Sequence, residues 1–383
     1  MNSGGQVCIV GASARAASFS ALRAGLEPWG IDLFADADLL AVTRCRRVRS
    51  FKEVPAVMAR FEAEGMRAPW MYTGAIENRP ALIWRLSMDR TLWGNVVWSV
   101  RSARLPRYLQ GAFARAGIPY PETRFSADDL PQDGSWLVKP TASGGGRGIA
   151  RWHGQTLKRR RGIVFQRYVS GQPCSACFVG GEAGVQLLGV TQQLVGEPWL
   201  HAAPFHYCGS ISPLTLSEGQ RGSFTRLGEA LRVICGLRGL FGVDCILTDD
   251  GVWPIEVNPR YTASMEVIEL ATGMAVLRQH VAALTRLPLP SLPANEAEVV
   301  GKAILFAPRP IVFPEAGPWQ NALLLAPTRF RPYADIPAAG STLLAGAPVM
   351  SIFARGATAD ACLQELRRAA AELDRTLFGP YTN

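Results

Sequence analysis

The strongest chemical signal in the sequence is a pair of carboxylates on a predicted β-hairpin. The turn 249–251 (Asp-Asp-Gly) lies between apolar runs and predicts a hairpin over residues 243–258. With a three-residue loop Asp244 lies opposite Glu256, whereas a one-residue shift leaves them diagonal. Like charges placed in this way repel unless a cation lies between them. Asn258 shares the face of Glu256, so the three side chains predict a Mg²⁺ or Mn²⁺ site completed by nucleotide phosphates.

Arg260 continues the same alternation beyond the hairpin. We expect its guanidinium to reach a phosphoryl group that is being transferred, and we predict a catalytic role for it. The alternative is a solvent-facing hairpin edge whose charges lie in water. The Ile, Val, Trp and Pro residues between the charged positions argue against that alternative.

A second signal is the glycine-rich segment that follows a predicted strand at 136–140. Lys139 near the strand end is a point charge suited to phosphate oxygens, and glycines let backbone N–H groups approach a phosphate closely. The lysine precedes the glycines, so this is not a Walker loop. A glycine-rich turn without a ligand is the alternative. The candidate nucleotide-binding residues here are Lys139, Gly144, Gly145, Gly146 and Arg147, with Lys139 also a candidate catalytic residue.

A third segment, 164–171, is an apolar strand that ends in a glycine turn. Its backbone groups could meet the edge of an adenine ring, and the candidate residues are Gln166, Arg167, Tyr168 and Val169. Taken alone, the segment is more simply an ordinary strand.

The elements around these segments predict a mixed fold. The first hundred residues alternate strands and helices, which is typical of a parallel sheet covered by helices. Gly11-Ala12-Ser13 ends the first strand as a dinucleotide fingerprint would, but the later glycines are missing, so an NAD site is a weak alternative. After residue 100 the pattern changes to longer β segments. A Pro-rich stretch at 287–298 is a predicted linker.

In this order, the three segments resemble the ATP-grasp superfamily. The resemblance implies an α/β and α+β architecture: a Rossmann-like N-terminal parallel-sheet domain (1–100), an ATP-grasp domain whose two subdomains clamp ATP (101–290), and a β-rich C-terminal domain similar to that of biotin carboxylase (291–383). It also implies that the lysine–glycine segment is a mobile phosphate-binding flap, that residues 166–169 bind adenine, and that the hairpin oxygens bind the metal ion.

The sequence departs from that family at two places. Many members carry an earlier lysine, for which Arg104 or Arg107 is the candidate substitute here, and the glutamate–histidine pair of biotin carboxylases is missing after Arg260. The resemblance therefore points to carboligase-like enzymes, including amide-forming ligases of one-carbon cofactor biosynthesis. The function that we predict is ATP-dependent joining of a carboxylate to an amine through an acyl-phosphate.

Composition sets the remaining expectations. The chain has 383 residues, is 48% hydrophobic and carries a net charge of +9. The run 158–161 (Lys-Arg-Arg-Arg) lacks interleaved aromatic residues, so we expect no nucleic-acid partner. No apolar run or leader-like segment suggests a membrane, and we expect a cytoplasmic protein. The pair Cys174 and Cys177 leaves metal or redox use as an alternative. A nucleotide-binding regulatory protein without turnover and an NAD-dependent oxidoreductase are the alternative functions, and a homodimer is left open.

Overall fold

The structure is a computed structural model that describes residues 5–157, 162–293 and 298–379. The basic run 158–161 and part of the predicted linker, 294–297, lie outside the described residues. In the described parts of the chain, no single helix is long and apolar enough to cross a membrane. Two successive helices that meet at 113°, Ala263–Thr272 and Val276–Leu284, pass that test only as a pair, and most of their residues are buried inside the protein.

The N-terminal part is a parallel sheet of four strands in the order β3-β2-β1-β4. The apolar run of the first strand is fully buried, as expected for a parallel strand covered on both faces. The strands are β1 (Gln6–Gly11), β2 (Glu27–Asp32), β3 (Arg44–Arg47) and β4 (Trp70–Tyr72), and the helices are α1 (Arg15–Arg23), α2 (Ala37–Leu40), α3 (Val54–Ala63), α4 (Pro80–Ser87) and α5 (Val97–Ala103).

A small antiparallel sheet follows, with the order β5-β8-β6-β7. Its core is a cluster of aromatic and aliphatic side chains that includes Trp136, Val138 and Phe165. The sheet places the end of β6 and the end of β8 beside the large sheet described next. The elements are α6 (Pro106–Arg115), β5 (Thr123–Arg124), β6 (Trp136–Pro140), β7 (Ala150–Arg151) and β8 (Ile163–Arg167).

An eight-stranded antiparallel sheet forms the largest layer, with the order β13-β12-β9-β10-β11-β14-β18-β16. Helix α7 covers one face and is well defined by the sequence, because Ser217 and Gln220 form a capping box and Gly236 ends the helix in the left-handed region. The first elements of this layer are β9 (Gln172–Gly180), β10 (Val185–Val195), β11 (Tyr207–Ser212), α7 (Glu218–Cys235), β12 (Gly239–Thr248), β13 (Gly251–Asn258), α8 (Ala263–Thr272) and α9 (Val276–Leu284).

The C-terminal strands continue this same sheet. Strand β14 pairs with β11, and β18 and β16 follow it, so the hydrogen-bonded ladder crosses the predicted boundary at residue 290. The three domain boundaries remain a prediction. The last elements are β14 (Val299–Phe306), β15 (Ile311–Val312), α10 (Gln320–Leu324), β16 (Tyr333–Ala334), β17 (Thr342–Leu343), β18 (Pro348–Gly356) and the amphipathic helix α11 (Ala359–Phe378).

Candidate functional site

The hairpin of β12 and β13 places its two carboxylates directly opposite each other. The register that produces this pairing differs from the one that the sequence pattern predicts. The turn is shorter than expected, because Thr248 already pairs with Gly251. This register alone would set Asp244 opposite Ile255. The pairing shifts by one residue after Pro254, which has no N–H for the ladder, and the resulting bulge at Ile255 brings Glu256 opposite Asp244.

The charge on this hairpin is poorly balanced by its own residues. Burial, followed by the negative charge of Glu256, raises the pKa of Asp244 to about 6. The Asp244 carboxylate accepts hydrogen bonds from Gln193 Nε2 (2.9 Å) and Asn258 Nδ2 (3.1 Å). Glu256 accepts a hydrogen bond from the guanidinium of Arg104. The carboxylates of Asp244 and Glu256, the amide of Asn258 and the guanidinium of Arg104 therefore lie together at this point.

Arg104 joins the hairpin to the glycine-rich segment. Besides its bond to Glu256, its Nη2 donates to Ser143 O at 3.0 Å and to Asn78 Oδ1 at 3.1 Å. The side chain is largely buried. Of the two candidate substitutes for the missing lysine, Arg104 lies beside the carboxylate pair at the start of the glycines, whereas the Arg107 guanidinium lies over the Phe125 ring.

Lys139 spans the gap between the small sheet and the large one. Its Nζ donates to Gln166 Oε1 at 2.8 Å and to the carbonyl oxygen of the bulged residue Ile255 at 3.2 Å. Burial lowers the pKa of Lys139, while the charges of Glu256 and Asp244 oppose that shift. The bulge thus has a second effect, because it turns a backbone carbonyl toward the lysine instead of toward the ladder.

The glycine-rich segment leans on the loop before β11. Gly145 O accepts a hydrogen bond from Tyr207 N (3.2 Å), and a Cβ on Gly146 would lie 1.8 Å from Phe205 O. Both glycines have positive φ, of 63° and 77°. A side chain at Gly146 would therefore push the segment away from this loop.

Two other predicted residues of this segment lie outside the main cleft. Nothing lies within 4 Å of a Cβ built on Gly144, and Arg147 is exposed. Neither is among the residues that line the cleft. Their predicted contacts with nucleotide would require the segment to move inward.

The predicted adenine segment forms one wall of the cleft. The Gln166 side chain is used internally, since it accepts from Lys139 and donates to Thr123 Oγ1 at 3.2 Å. The backbone N–H of Arg167 donates to Glu122 O (2.8 Å), and that of Tyr168 donates to Ser135 O (2.9 Å). The N–H of Val169 donates to no other group among the described residues, which leaves it available to a ligand.

Arg260 is already paired. Its Nε donates to Glu77 Oε1 at 2.8 Å and its Nη2 donates to Asn258 Oδ1 at 3.2 Å. The other carboxylate oxygen of Glu77 is buried without a hydrogen-bond partner among the described residues. Arg260 thus holds the Asn258 amide in place and links the hairpin to the loop after β4.

These residues surround a cleft of about 510 Å³ between the small and large sheets. The structure brings most of the predicted site residues to it, namely Lys139, Gly145, Gly146, Gln166, Arg167, Tyr168, Val169, Asp244, Glu256, Asn258 and Arg260. Several polar residues of its lining were not predicted from the sequence, among them Ser175, Gln193 and Ser264. They lie on β9, β10 and α8, and only the strand order of the large sheet brings them together.

A second cavity of about 520 Å³ adjoins the first. The two share Arg260, Thr262 and Ala263, which connect β13 to α8. The second cavity lies among the N-terminal sheet, this connection and the C-terminal strands. A molecule bound there would lie next to the contents of the first cleft.

The geometry at the end of β1 argues against the NAD alternative. A Cβ on Gly11 would lie 1.8 Å from Thr73 Oγ1, so packing explains this glycine. The backbone N–H of Ala12 donates to Gly74 O and that of Ala14 donates to Asp32. These donors are therefore not available to a pyrophosphate.

Cys174 and Cys177 are buried on β9, and burial raises the pKa of each thiol to about 12. Protonated buried thiols are poor metal ligands and poor nucleophiles. In the described ranges, no group of three or more His, Cys, Asp or Glu residues is placed to hold a metal ion. The oxygen set at the hairpin differs from such a group because it has two carboxylates and one amide.

Comparisons with known proteins bear on the identity of the domain and on the fold. The family model for the ATP-grasp domain matches residues 107–264. A formate-dependent phosphoribosylglycinamide formyltransferase from Nitratidesulfovibrio vulgaris is 24% identical over 331 residues, which cover 77% of this chain and 79% of that protein.

Solved structures share the fold at low sequence identity. The ADP complex of an N5-carboxyaminoimidazole ribonucleotide synthetase superposes with a TM-score of 0.69 at 16% identity, covering 98% of both chains. An L-amino acid ligase from Bacillus licheniformis has a TM-score of 0.68 at 15% identity, covering 97% of this chain and 98% of the other. Residues 107–264 therefore form an ATP-grasp domain.

Proposed function

We propose that the protein is an ATP-dependent ligase that joins a small carboxylate to an amine. The observation that carries the proposal is the opposed pair Asp244 and Glu256, which lies beside Lys139 in a cleft of about 510 Å³ within an ATP-grasp domain. In the first step, a carboxylate oxygen attacks the γ-phosphorus of ATP, giving an acyl-phosphate and ADP. The amine nitrogen then attacks the acyl carbon, phosphate leaves with the bonding electrons, and the nitrogen loses a proton.

In this proposal, the nucleotide lies between the two sheets. The N–H of Val169 donates to the adenine edge, and Lys139 turns from Gln166 and the Ile255 carbonyl to the phosphates. The N–H groups of Gly145 and Gly146 approach the phosphates from the opposite side. Positioning and charge neutralisation supply most of the rate in phosphoryl transfer. The contacts described here are of these two types.

The hairpin oxygens fit a divalent ion. Burial, followed by the negative charge of Glu256, raises the pKa of Asp244, and the Arg104 guanidinium pairs with Glu256. A divalent ion between the two carboxylates would offset the charge that Arg104 now balances. Asp244, Glu256 and Asn258 would hold Mg²⁺ or Mn²⁺, which would neutralise phosphate charge. Arg260, held by Glu77, is the candidate for stabilising charge on the transferring group.

The curated relative supports the choice of donor. Its name specifies formate as the carboxylate, and the match covers most of both chains. We infer a donor of similar size, since the nucleotide would take most of the first cleft. The amine would enter through the second cavity, which meets the first at Arg260, Thr262 and Ala263.

The test is a screen for ATP-dependent release of ADP and phosphate over pairs of small acids, starting with formate, and amines. We expect turnover that needs all three substrates and a divalent ion. Glu256→Gln keeps the side-chain shape and should abolish phosphate release while leaving the fold intact. Nucleotide binding without any turnover would favour the regulatory alternative, and full turnover by Glu256→Gln would refute the metal assignment.

A further inference from the structure

The second cavity has few cations that a ligand could use. Among the residues that the structure describes, three basic ones line it: Arg47, Arg260 and Lys302. Lys302 Nζ lies 3.0 Å from Glu266 and 3.3 Å from Asp335, both as ion pairs. Arg260 is paired with Glu77.

Arg47 is the exception, because it is exposed and its Nε donates only to a backbone carbonyl, Leu33 O, at 3.1 Å. A phosphate ester carries up to two charges and is usually held by several charge-assisted donors. The lining of this cavity, as far as the structure describes it, offers one such donor at its rim. The cavity is therefore poorly suited to a phosphorylated substrate.

Asp36 indicates that the cavity favours a cationic group instead. It lines the cavity with only 7% of its surface exposed, and its carboxylate has no hydrogen bond or ion pair with any described residue. The other acidic residue of the lining, Asp335, is fully engaged by Arg15, Lys302 and Ser351. A buried carboxylate without a partner costs free energy, so Asp36 is a vacant acceptor for a cation.

The surroundings of Asp36 strengthen this signal. Burial and the nearby carboxylates of Asp335 and Asp38 raise its pKa well above the ordinary range. A bound ammonium group would reverse that shift by neutralising the excess negative charge.

The rest of the cavity is largely apolar. Its walls include Ile304, Leu343 and Met350, and Phe34 stands at the rim with half of its surface exposed. Apolar walls of this kind bury the body of a ligand, while a few polar groups fix its orientation.

We propose that the second cavity takes an amine acceptor that carries a cationic group for Asp36 and an apolar body, and that this acceptor has no phosphate. This inference rests on the proposed ligase function, since it assigns the acceptor of that reaction. It separates the chain from its curated relatives, whose name specifies a phosphoribosyl acceptor.

The test measures binding by calorimetry to the full chain, with and without Mg·ADP. The probes are 2-phenylethylamine, its neutral analogue 2-phenylethanol, and O-phosphoethanolamine. We expect the aromatic amine to bind at least about tenfold more tightly than either other probe, because it alone combines a charge-assisted contact to Asp36 with an apolar body. Asp36→Asn should remove the preference for the amine over the alcohol. The retained binding of the alcohol then shows that the cavity is intact.

Arg47→Ala is the matched control within the same cavity, and it should leave the affinity for 2-phenylethylamine unchanged. The proposal is overturned if O-phosphoethanolamine binds most tightly and loses affinity in Arg47→Ala. It also fails if Asp36→Asn keeps the amine preference, or if Mg·ADP binds and no probe does. If Mg·ADP does not bind, the ligase function fails instead. The two failures can be distinguished because probe binding is also measured without nucleotide.

Discussion

Replacing Asp244 by asparagine should stabilise the protein without metal and nucleotide while removing its response to them. The pKa of Asp244 rises from an ordinary value of 3.8 to about 6 in the folded state. The folded state therefore binds this proton more tightly than the unfolded chain does. Stability is lost as pH rises from about 4 through about 6, and each pKa unit is worth about 1.4 kcal/mol. The cost of the ionised Asp244 at pH 7.5 is thus at most about 3 kcal/mol.

Hydrogen bonding offsets part of this gain. Gln193 and Asn258 each donate to one oxygen of Asp244, and an asparagine offers one oxygen and an NH₂ group instead. One of the two bonds is therefore lost, at a cost of about 1 kcal/mol. The net stabilisation at pH 7.5 is about 1–2 kcal/mol, or about 2–8 °C in the thermal midpoint of a domain of this size.

Thermal unfolding in EDTA at pH 7.5 and pH 4 measures the effect. Asp244→Asn should melt above the wild type at pH 7.5, and the advantage should disappear at pH 4, where the wild-type carboxyl is protonated. Added Mg·ADP should raise the midpoint of the wild type and not that of the variant. The control is Asp249→Asn, an exposed position in the turn of the same hairpin. Equal destabilisation at both pH values, or a retained response to Mg·ADP, would refute the reasoning.

Three further changes test the rest of the cleft. Lys139→Ala should weaken ATP binding at least about tenfold, because a buried charge-assisted contact is lost, and calorimetry with ATP analogues measures this; unchanged affinity would contradict the role of Lys139. Gly146→Ala should lower kcat/KM for ATP, because its Cβ would clash with a backbone oxygen at 1.8 Å, whereas Gly144→Ala, which meets nothing, should have little effect; similar kinetics for the two variants would remove the flap from the mechanism. Arg104→Ala should weaken nucleotide binding, because the link between Glu256 and the glycine-rich segment is lost, whereas Arg104→Lys should keep most of the affinity; calorimetry with ATP analogues measures both, and loss of binding in both variants would point to a structural role.

Local patterns were sufficient to predict the hairpin. The apolar alternation and the Asp-Asp-Gly turn predicted β12 and β13, and the position of Asp244 opposite Glu256 is confirmed. The reason given for that pairing was wrong, because the turn has two residues and a bulge at Ile255 makes up the difference. A bulge depends on which ladder bonds a strand can form in its sheet, and Pro254 alone does not reveal it.

Contacts between distant parts of the chain could not be predicted. The pairing of Arg260 with Glu77 and of Lys139 with Gln166 joins separate elements through the packing of two sheets. The sequence pattern predicted only that backbone groups of residues 166–169 meet the adenine edge, and it gave no indication that the Gln166 side chain holds the lysine. Periodicity describes which face of an element is buried and carries no information on which element packs against it.

The walls of the two cavities are held by contacts of different strength. This difference determines which substitutions would change the amine that the proposed ligase accepts. Buried ion pairs join α1, α8 and β14 behind the second cavity, since Arg15 contacts Glu266 and Asp335, and Lys302 contacts the same two carboxylates. Breaking one such pair typically costs about 3–5 kcal/mol, because it leaves a buried charge. The glycine segment, in contrast, touches the loop before β11 through one backbone hydrogen bond and a close glycine contact. Even with the bond from Arg104 to Ser143 O, the glycine-rich segment is therefore held less firmly than the wall of the second cavity, the proposed acceptor site. Substitutions at Asp36 or at the apolar walls would then alter the acceptor without altering the residues proposed to hold ATP.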